Sequence, residues 1–419
     1  MIRLGLLVGV AAVVRVAAVV GVAAVIVVGC AAGSAPPPSV VDQIPATTST
    51  TRAVVTTTEV TTTTADPDEG WFVVSVTNAL PDSLTDGLAS LDGVDAVSVV
   101  LVENLRLAAT TTSDGRIVDR APTGFSIPLE VHAIDAKAHA KYAPEAVALL
   151  LGELGPNEAV LSESSAAFRR LDPGAKLHLE GGTTLTVVGI VSDEWVGAAE
   201  AAVAISGAET LGIERARYAI VHFDGSVAEL GRAAEGLTDA AVRVAGRDDV
   251  DVFRHADAVA SQIAIKTMFG EFAFRPTGGD HIEIDPAWVE ANIVEVEIPL
   301  LGNDQCHRRF VAVLREVMAG LEEAGLAEAI DPSAYLGCWN SRFIRRRSDL
   351  SRHAWGVAAD INFGNEPDGS PGSPTDPALL EAMLELDILS GHTWTDPGPG
   401  HFEWYGTVGS ADEEEPPAG

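Results

Sequence analysis

The chain has 419 residues, and its 27 Lys and Arg against 60 Asp and Glu give a formal net charge of −33. So acidic a chain is excluded from wrapping nucleic acid, which needs cationic side chains along the phosphate backbone. A content of 47% hydrophobic and 21% charged residues excludes wholesale disorder, and three cysteines are too few for a disulfide-dense scaffold or a Cys-only zinc finger. The length suits about two or three domains.

Residues 1–29 are almost all Ala, Val, Leu and Gly, with Arg3 near the start, Arg15 within the run, and Val27-Val28-Gly29-Cys30 at its end. The pattern resembles a bacterial lipoprotein signal, which implies that Cys30 is lipidated as the signal is removed. The alternatives are an uncleaved transmembrane anchor and a secretory signal cut elsewhere. Arg15 weighs against a simple spanning helix, since a charge at the bilayer centre costs about 2.5–3.5 kcal/mol on insertion scales. Each reading leaves the remaining chain extracytoplasmic, and the lipid on Cys30 would anchor it to the cell membrane. No later stretch approaches the roughly 20 apolar residues of a second span.

Residues 30–70 carry Pro36-Pro37-Pro38 and Thr-rich runs at Thr47–Thr51, Thr56–Thr58 and Thr61–Thr64, with few large apolar side chains. That composition buries too little surface to offset its ordering entropy, so it reads as a flexible tether. From Trp71, short β-rich runs follow at Phe72–Val76, Val97–Val102, Phe125–Val131, Ala159–Leu161 and Leu185–Val191, bounded by Gly, Pro and Asp. Pro144-Glu145-Ala146 opens a helix that uses Val147, Leu150, Leu151 and Leu154. Leu154–Val191 faintly resembles the small extracytoplasmic domains of ABC-type transporter permeases. His132, His139, His178, His222 and His255 are scattered and read as surface or hydrogen-bonded histidines rather than ligands. Residues 71–262 are thus expected to form an α+β accessory domain, a possible surface for an envelope protein partner.

A second α+β domain is expected over residues 263–408, with a small antiparallel sheet flanked by helices, ahead of an acidic disordered tail at 409–419. Phe310, Val313, Leu314, Val317, Leu321 and Leu326 recur with helical period; Gly325 is expected to weaken that helix near its end and Asp331-Pro332 to stop it. Pro377 through Leu386 reads as another amphipathic helix, using Leu379, Leu380, Met383 and Leu384. With Cys30 lipidated, Cys306 and Cys338 remain, an even number suited to a disulfide in an oxidising compartment; free or metal-bound thiols are the other reading.

Near the C-terminus stand Ser351-Arg352-His353-Ala354-Trp355-Gly356-Val357-Ala358-Ala359-Asp360 and then Gly400-His401-Phe402-Glu403-Trp404. A catalytic zinc commonly takes three N or O ligands and leaves one position for water, which two imidazoles and a carboxylate satisfy. His353 and Asp360 suit neighbouring strands, or a turn and a strand, with Gly356 allowing close backbone approach and His401 arriving on a third strand.

The Ser-x-His-x-x-Gly-x-x-x-Asp signature followed by His-Phe-Glu resembles the zinc D-alanyl-D-alanine carboxypeptidase and dipeptidase family of peptidoglycan peptidases. The resemblance extends upstream through Gly337–Ile344 and covers the last quarter to a third of the chain. It implies Zn2+ held by His353, Asp360 and His401, with Ser351 orienting substrate or ligand shell. It also implies that Arg342 stabilises an oxyanion or holds a carboxylate of a peptidoglycan stem peptide. Arg345, Arg346 and Arg347 form a basic cluster that reads either as a solvated face or as an attractor of peptide carboxylates. Family members place the general base three residues before the last histidine, and here that position is Gly398. Asp396 is therefore the first candidate base and Glu403 the second. The expected function is a lipid-anchored zinc peptidase trimming stem peptides, most specifically a D-alanyl-D-alanine carboxypeptidase. The alternative is a noncatalytic envelope lipoprotein whose degenerate peptidase domain binds cell wall or a protein partner.

Overall fold

The computed structural model describes residues 70–246, 260–345, 347–363, 376–392, 394 and 397–406, all within one compact unit of the chain. The signal, tether and tail lie outside the described residues, as do Cys30, His255, Arg346 and Asp396. The architecture is α+β, and among the described residues no helix is long and apolar enough to cross a membrane.

In chain order the first half contains β1 (Trp71–Val76), α1 (Asp82–Leu88), β2 (Val94–Thr111), β3 (Ile117–Arg120), β4 (Ile127–Ile134), α2 (Ala136–His139), α3 (Glu145–Gly152) and β5 (Glu158–Ser162). It continues with α4 (Glu163–Arg169), β6 (Lys176–Leu179), β7 (Thr184–Val191), β8 (Ala201–Ala204), α5 (Ala208–Leu211), β9 (Ala216–Phe223), α6 (Val227–Glu235) and β10 (Val242–Gly246). One sheet runs β10-β1-β9-β2-β4-β8-β5-β7-β6, and β6 returns to pair with β2, closing six of these strands into a barrel. The long β2 serves both parts. Its first residues pair with β9, Val100–Leu107 pair with β4, and a register shift at Val100/Leu101 bends the strand where it changes partner. Along β7 the residues alternate, with Leu185, Val187 and Val191 buried and Thr184, Thr186, Val188 and Ile190 half-buried, as a strand with one face on a core requires.

The second half contains α7 (Gln262–Phe269), β11 (Phe274–Gly278), β12 (His281–Ile284), α8 (Pro286–Asn292), β13 (Ile293–Ile298), β14 (Gly302–His307) and α9 (Arg308–Glu323). Then come β15 (Ala358–Asp360), α10 (Pro377–Leu384), β16 (Ile388–Gly391) and β17 (Gly398–Trp404). β11 with β12 and β13 with β14 are antiparallel hairpins, and β15-β17-β16 is a three-stranded antiparallel sheet. Their apolar side chains share one core in which Phe310 of α9 stacks on Trp404 at 5.9 Å. α9 ends earlier than its periodicity predicts. Gly325, at φ 70°, follows it, Gly325 N bonds Glu322 O at 3.1 Å and Leu326 N bonds Leu321 O at 2.8 Å. This left-handed glycine cap stops the helix ahead of Asp331-Pro332 and leaves Leu326 exposed. α10 likewise ends at Leu384, which is exposed, with Leu379 and Met383 facing the core.

Two buried polar seams join the halves. In the first, Arg169 of α4 reaches Glu200 at 2.5 Å and Glu271 at 2.7 Å, while Lys266 of α7 reaches Glu200 at 2.7 Å and Glu271 at 2.9 Å. Burial raises the Glu200 carboxyl, but Lys266 and Arg169 outweigh it and bring it down to about 2. Two cations thus offset two anions where a lone charge could not be held. In the second seam, Asp349 pairs with Arg217 of β9 and accepts from Asn104 Nδ2 of β2 at 3.1 Å.

Candidate metal centre

The candidate ligands arrive on three local structures. Ser351 caps a single 3-10 turn, Arg352–Ala354, with its hydroxyl accepting from His353 N at 3.4 Å, so His353 projects from a turn rather than a strand. Asp360 ends β15, and its cross-strand partner in β17 is His401. Between turn and strand the chain passes Gly356, at φ 67°, where a Cβ would lie 2.7 Å from His307 N. Only glycine allows that approach, which His307 N uses to bond Gly356 O at 2.9 Å.

Three side-chain atoms converge. His401 Nδ1 lies 2.7 Å from Asp360 Oδ1, His353 Nε2 lies 3.3 Å from the same oxygen, and the two nitrogens are 3.3 Å apart. A tetrahedral ion with ligand bonds of about 2.0–2.1 Å has ligand-to-ligand edges of roughly 3.3 Å. Two edges match that spacing, and the third is shortened by the hydrogen bond from His401 Nδ1 to Asp360. A donor set of two imidazoles and one carboxylate suits zinc, so these residues fit the ion on both chemistry and spacing.

The outer contacts orient each ring. His353 Nδ1 donates to Cys338 O at 2.7 Å; because a carbonyl only accepts, the proton sits on Nδ1 and Nε2 faces the cluster. His401 is held from its far side, where Nε2 donates to Glu403 Oε1 at 3.2 Å. Burial lowers the His401 imidazole, but its hydrogen bonds to Asp360 and Glu403 prevail and lift it to about 10. Burial raises the Asp360 carboxyl, and the charges and hydrogen bonds of His353 and His401 overturn this, holding it far below the carboxylate range. Glu403 is lowered for the same reason, burial opposing and His401 prevailing. Both carboxylates are therefore ionised at neutral pH.

Glu403 thus stands behind His401, on the nitrogen facing away from Asp360 and His353, where it orients the ring. Arg342 is half-buried. Its carbonyl accepts from Ser351 N at 3.1 Å, which ties the arginine to the ligand turn, and it forms an isolated bridge with His281. Arg345 and Arg347 lie on the same hairpin, with Arg347 Nε bonding Asn78 Oδ1 at 3.3 Å. Cys306 and Cys338 form a disulfide with Cα atoms 5.3 Å apart. Several contributors carry no sequence signal. Asp304 accepts from Cys338 N and Tyr335, Trp394 lies 5.2 Å from the His401 ring, and Asp349 anchors the Arg342 hairpin. Each is an ordinary residue type outside any motif.

The scattered histidines of the first half are engaged locally. His132 meets Glu130 and Tyr218, His139 meets Ser98 and Trp195 O, His178 meets Thr111 and Thr184, and His222 meets Asp95.

No family model and no curated protein matches the chain. Among solved structures, it is similar to the periplasmic region of MacB from Actinobacillus actinomycetemcomitans, at 14% identity and a TM-score of 0.30, over 44% of this chain and 92% of that one. It is also similar to the extracellular domain of the noncanonic ABC-type transporter YknZ from Gram-positive bacteria, at 15% identity and a TM-score of 0.29, over 42% of this chain and all of that one.

Proposed function

We propose that the protein is an extracytoplasmic, lipid-anchored zinc metallopeptidase acting on peptidoglycan stem peptides, with D-alanyl-D-alanine carboxypeptidase the specific activity. The observation that carries this reading is the meeting of His353 Nε2, Asp360 Oδ1 and His401 Nδ1 at 2.7–3.3 Å, inside the Ser-x-His-x-x-Gly-x-x-x-Asp and His-Phe-Glu signatures. Val27-Val28-Gly29-Cys30 supports lipidation at Cys30, and the Cys306–Cys338 disulfide suits an oxidising compartment.

A zinc ion held by these three residues supplies Lewis-acid chemistry and an activated water at neutral pH. Cys338 O and Glu403 keep the two imidazoles turned so that Nε2 of His353 and Nδ1 of His401 face each other. Arg342 offers a guanidinium fork to a substrate carboxylate or to the oxygen that gains charge when the peptide carbonyl is attacked. Asp396 takes a proton from the attacking water and returns it to the leaving amine as the C–N bond breaks.

Gly398, three residues before His401, favours a second reading, a noncatalytic lipoprotein that binds cell wall, or a protein partner through residues 71–262. Metal analysis combined with mass spectrometry of muropeptides separates the two. Wild type is expected to hold one zinc and shorten stem peptides, while His401→Ala does neither. Stoichiometric zinc with no product from wild type would refute the enzyme reading.

A further inference from the structure

One short strap, Leu336–Arg342, runs along the ligand-bearing segment and touches it repeatedly. Leu336 N bonds Asp360 O at 2.9 Å and Asp360 N bonds Gly337 O at 3.2 Å, so the strap pairs with the backbone of one candidate ligand. Cys338 O accepts from His353 Nδ1 at 2.7 Å, and Asn340 N bonds His353 O at 2.9 Å, so it holds the ring and backbone of another. Trp339 Nε1 bonds Ala354 O at 3.2 Å, within the His353 turn.

The strap is itself fixed at its midpoint. Cys338 is joined to Cys306 at the end of β14, and its N–H bonds Asp304 Oδ2 at 2.8 Å. Asp304 also accepts from the Tyr335 hydroxyl. The neighbouring His307 N bonds Gly356 O at the close approach described above, so β14 is registered against the ligand loop on one side and against the strap on the other. Both cysteines are buried, at 0% and 1% exposure, well placed to transmit position rather than to meet solvent.

We propose that the Cys306–Cys338 disulfide, with Asp304, is a positioning device for the metal centre: it fixes the Cys338 carbonyl that sets the tautomer and direction of His353. The inference rests on the metal reading above and deepens it. Without the disulfide, the Cys338 carbonyl is no longer held by a covalent link to β14, and the His353 ring loses its fixed acceptor. Partners that orient metal-ligating histidines typically contribute about 10–100-fold in metal affinity when lost. A staple that served global stability alone would leave affinity and ligand geometry unchanged in molecules that remain folded.

The test titrates Co2+ into the full chain, reading both affinity and the visible ligand-field spectrum at saturation. Replacing both cysteines, Cys306→Ala with Cys338→Ala, leaves neither of them as a free thiol beside the site to compete for the ion. The double variant is expected to bind Co2+ at least about tenfold more weakly, with a changed spectrum at saturation, while near-ultraviolet circular dichroism reports a folded protein. Asp304→Asn retains the disulfide and loosens the strap at Cys338 N, so it is expected to shift affinity the same way by a smaller factor, and it decides the matter if the double variant does not fold. Wild-type affinity and spectrum in the folded variants would overturn this inference alone. A wild type that binds neither Co2+ nor Zn2+ would overturn the metal reading and this inference with it.

Discussion

Asp349→Ala is expected to destabilise the protein by about 3–5 kcal/mol, the range for removing one member of a buried ion pair. The size follows from the second seam. The Arg217 and Asp349 side chains are 2% and 6% exposed, so solvent screens little of their attraction. Burial, opposed by Asp349, already weakens the hold of Arg217 on its proton, with Arg215 and Arg347 adding repulsion. Deleting the carboxylate leaves the guanidinium facing those two cations without its Asp349 partner, and Asn104 Nδ2 loses its acceptor. Arg217→Met should cost a comparable amount. Arg217→Met combined with Asp349→Ala should cost less than either alone, because two apolar side chains replace an ion pair without stranding a charge. Guanidinium denaturation of the four proteins measures the coupling energy. Two single variants that each lose under about 1 kcal/mol, and that add in the double, would refute the seam as an energetic link. Because Asp349 also anchors the hairpin from Arg342 to Ser351, the single variants should process muropeptides more slowly at subsaturating substrate, with zinc content unchanged.

Other outcomes follow from the same geometry. His139 and His307 are buried and lowered to about 4, chiefly by burial, so each stays neutral in the folded state while the unfolded chain takes up a proton below about 6.5. Stability should therefore be full above pH 6.5 and fall as the pH drops from 6.5 to 4, by up to about 3 kcal/mol for each histidine at 1.36 kcal/mol per pH unit, and His139→Gln should flatten that slope in a pH series of melts. Gly356→Ala should destabilise by more than about 1–2 kcal/mol and lower zinc content, since it combines a positive φ with a Cβ placed 2.7 Å from His307 N; an unchanged melting temperature would contradict the close approach. Glu403→Gln keeps an acceptor for His401 Nε2 but removes the charge, so zinc affinity by chelator competition should weaken by less than with Glu403→Ala, for which about 10–100-fold is expected.

Local chemistry made much of the chain readable in advance. The runs at Phe72–Val76 and Leu185–Val191 are strands, as their β-branched and aromatic content predicts, and Pro144 stands at the start of α3 because its fixed φ and missing N–H suit a helix entrance. Helix ends were harder. Gly325 terminates α9 through a left-handed cap, whereas the later Asp331-Pro332 is the more conspicuous stop in the sequence. Barrel closure was invisible, since the pairing of β2 with β6 depends on bulges that bend an 18-residue strand rather than on any residue type.

The candidate metal centre divides the same way. His353, Asp360 and His401 are candidates because the Ser-x-His-x-x-Gly-x-x-x-Asp and His-Phe-Glu signatures resemble those of the zinc peptidase family, and neighbouring residues in the chain supply the turn and strands that carry them. Which nitrogen of each ring faces the cluster was decided by tertiary structure, through Cys338 O on one imidazole and Glu403 on the other. So was the attachment of the Arg342 hairpin to β9 of the large sheet through Arg217 and Asp349, residues 132 positions apart. A side chain's type and neighbours in the chain specify what it can donate or accept; only packing between distant segments specifies what it meets.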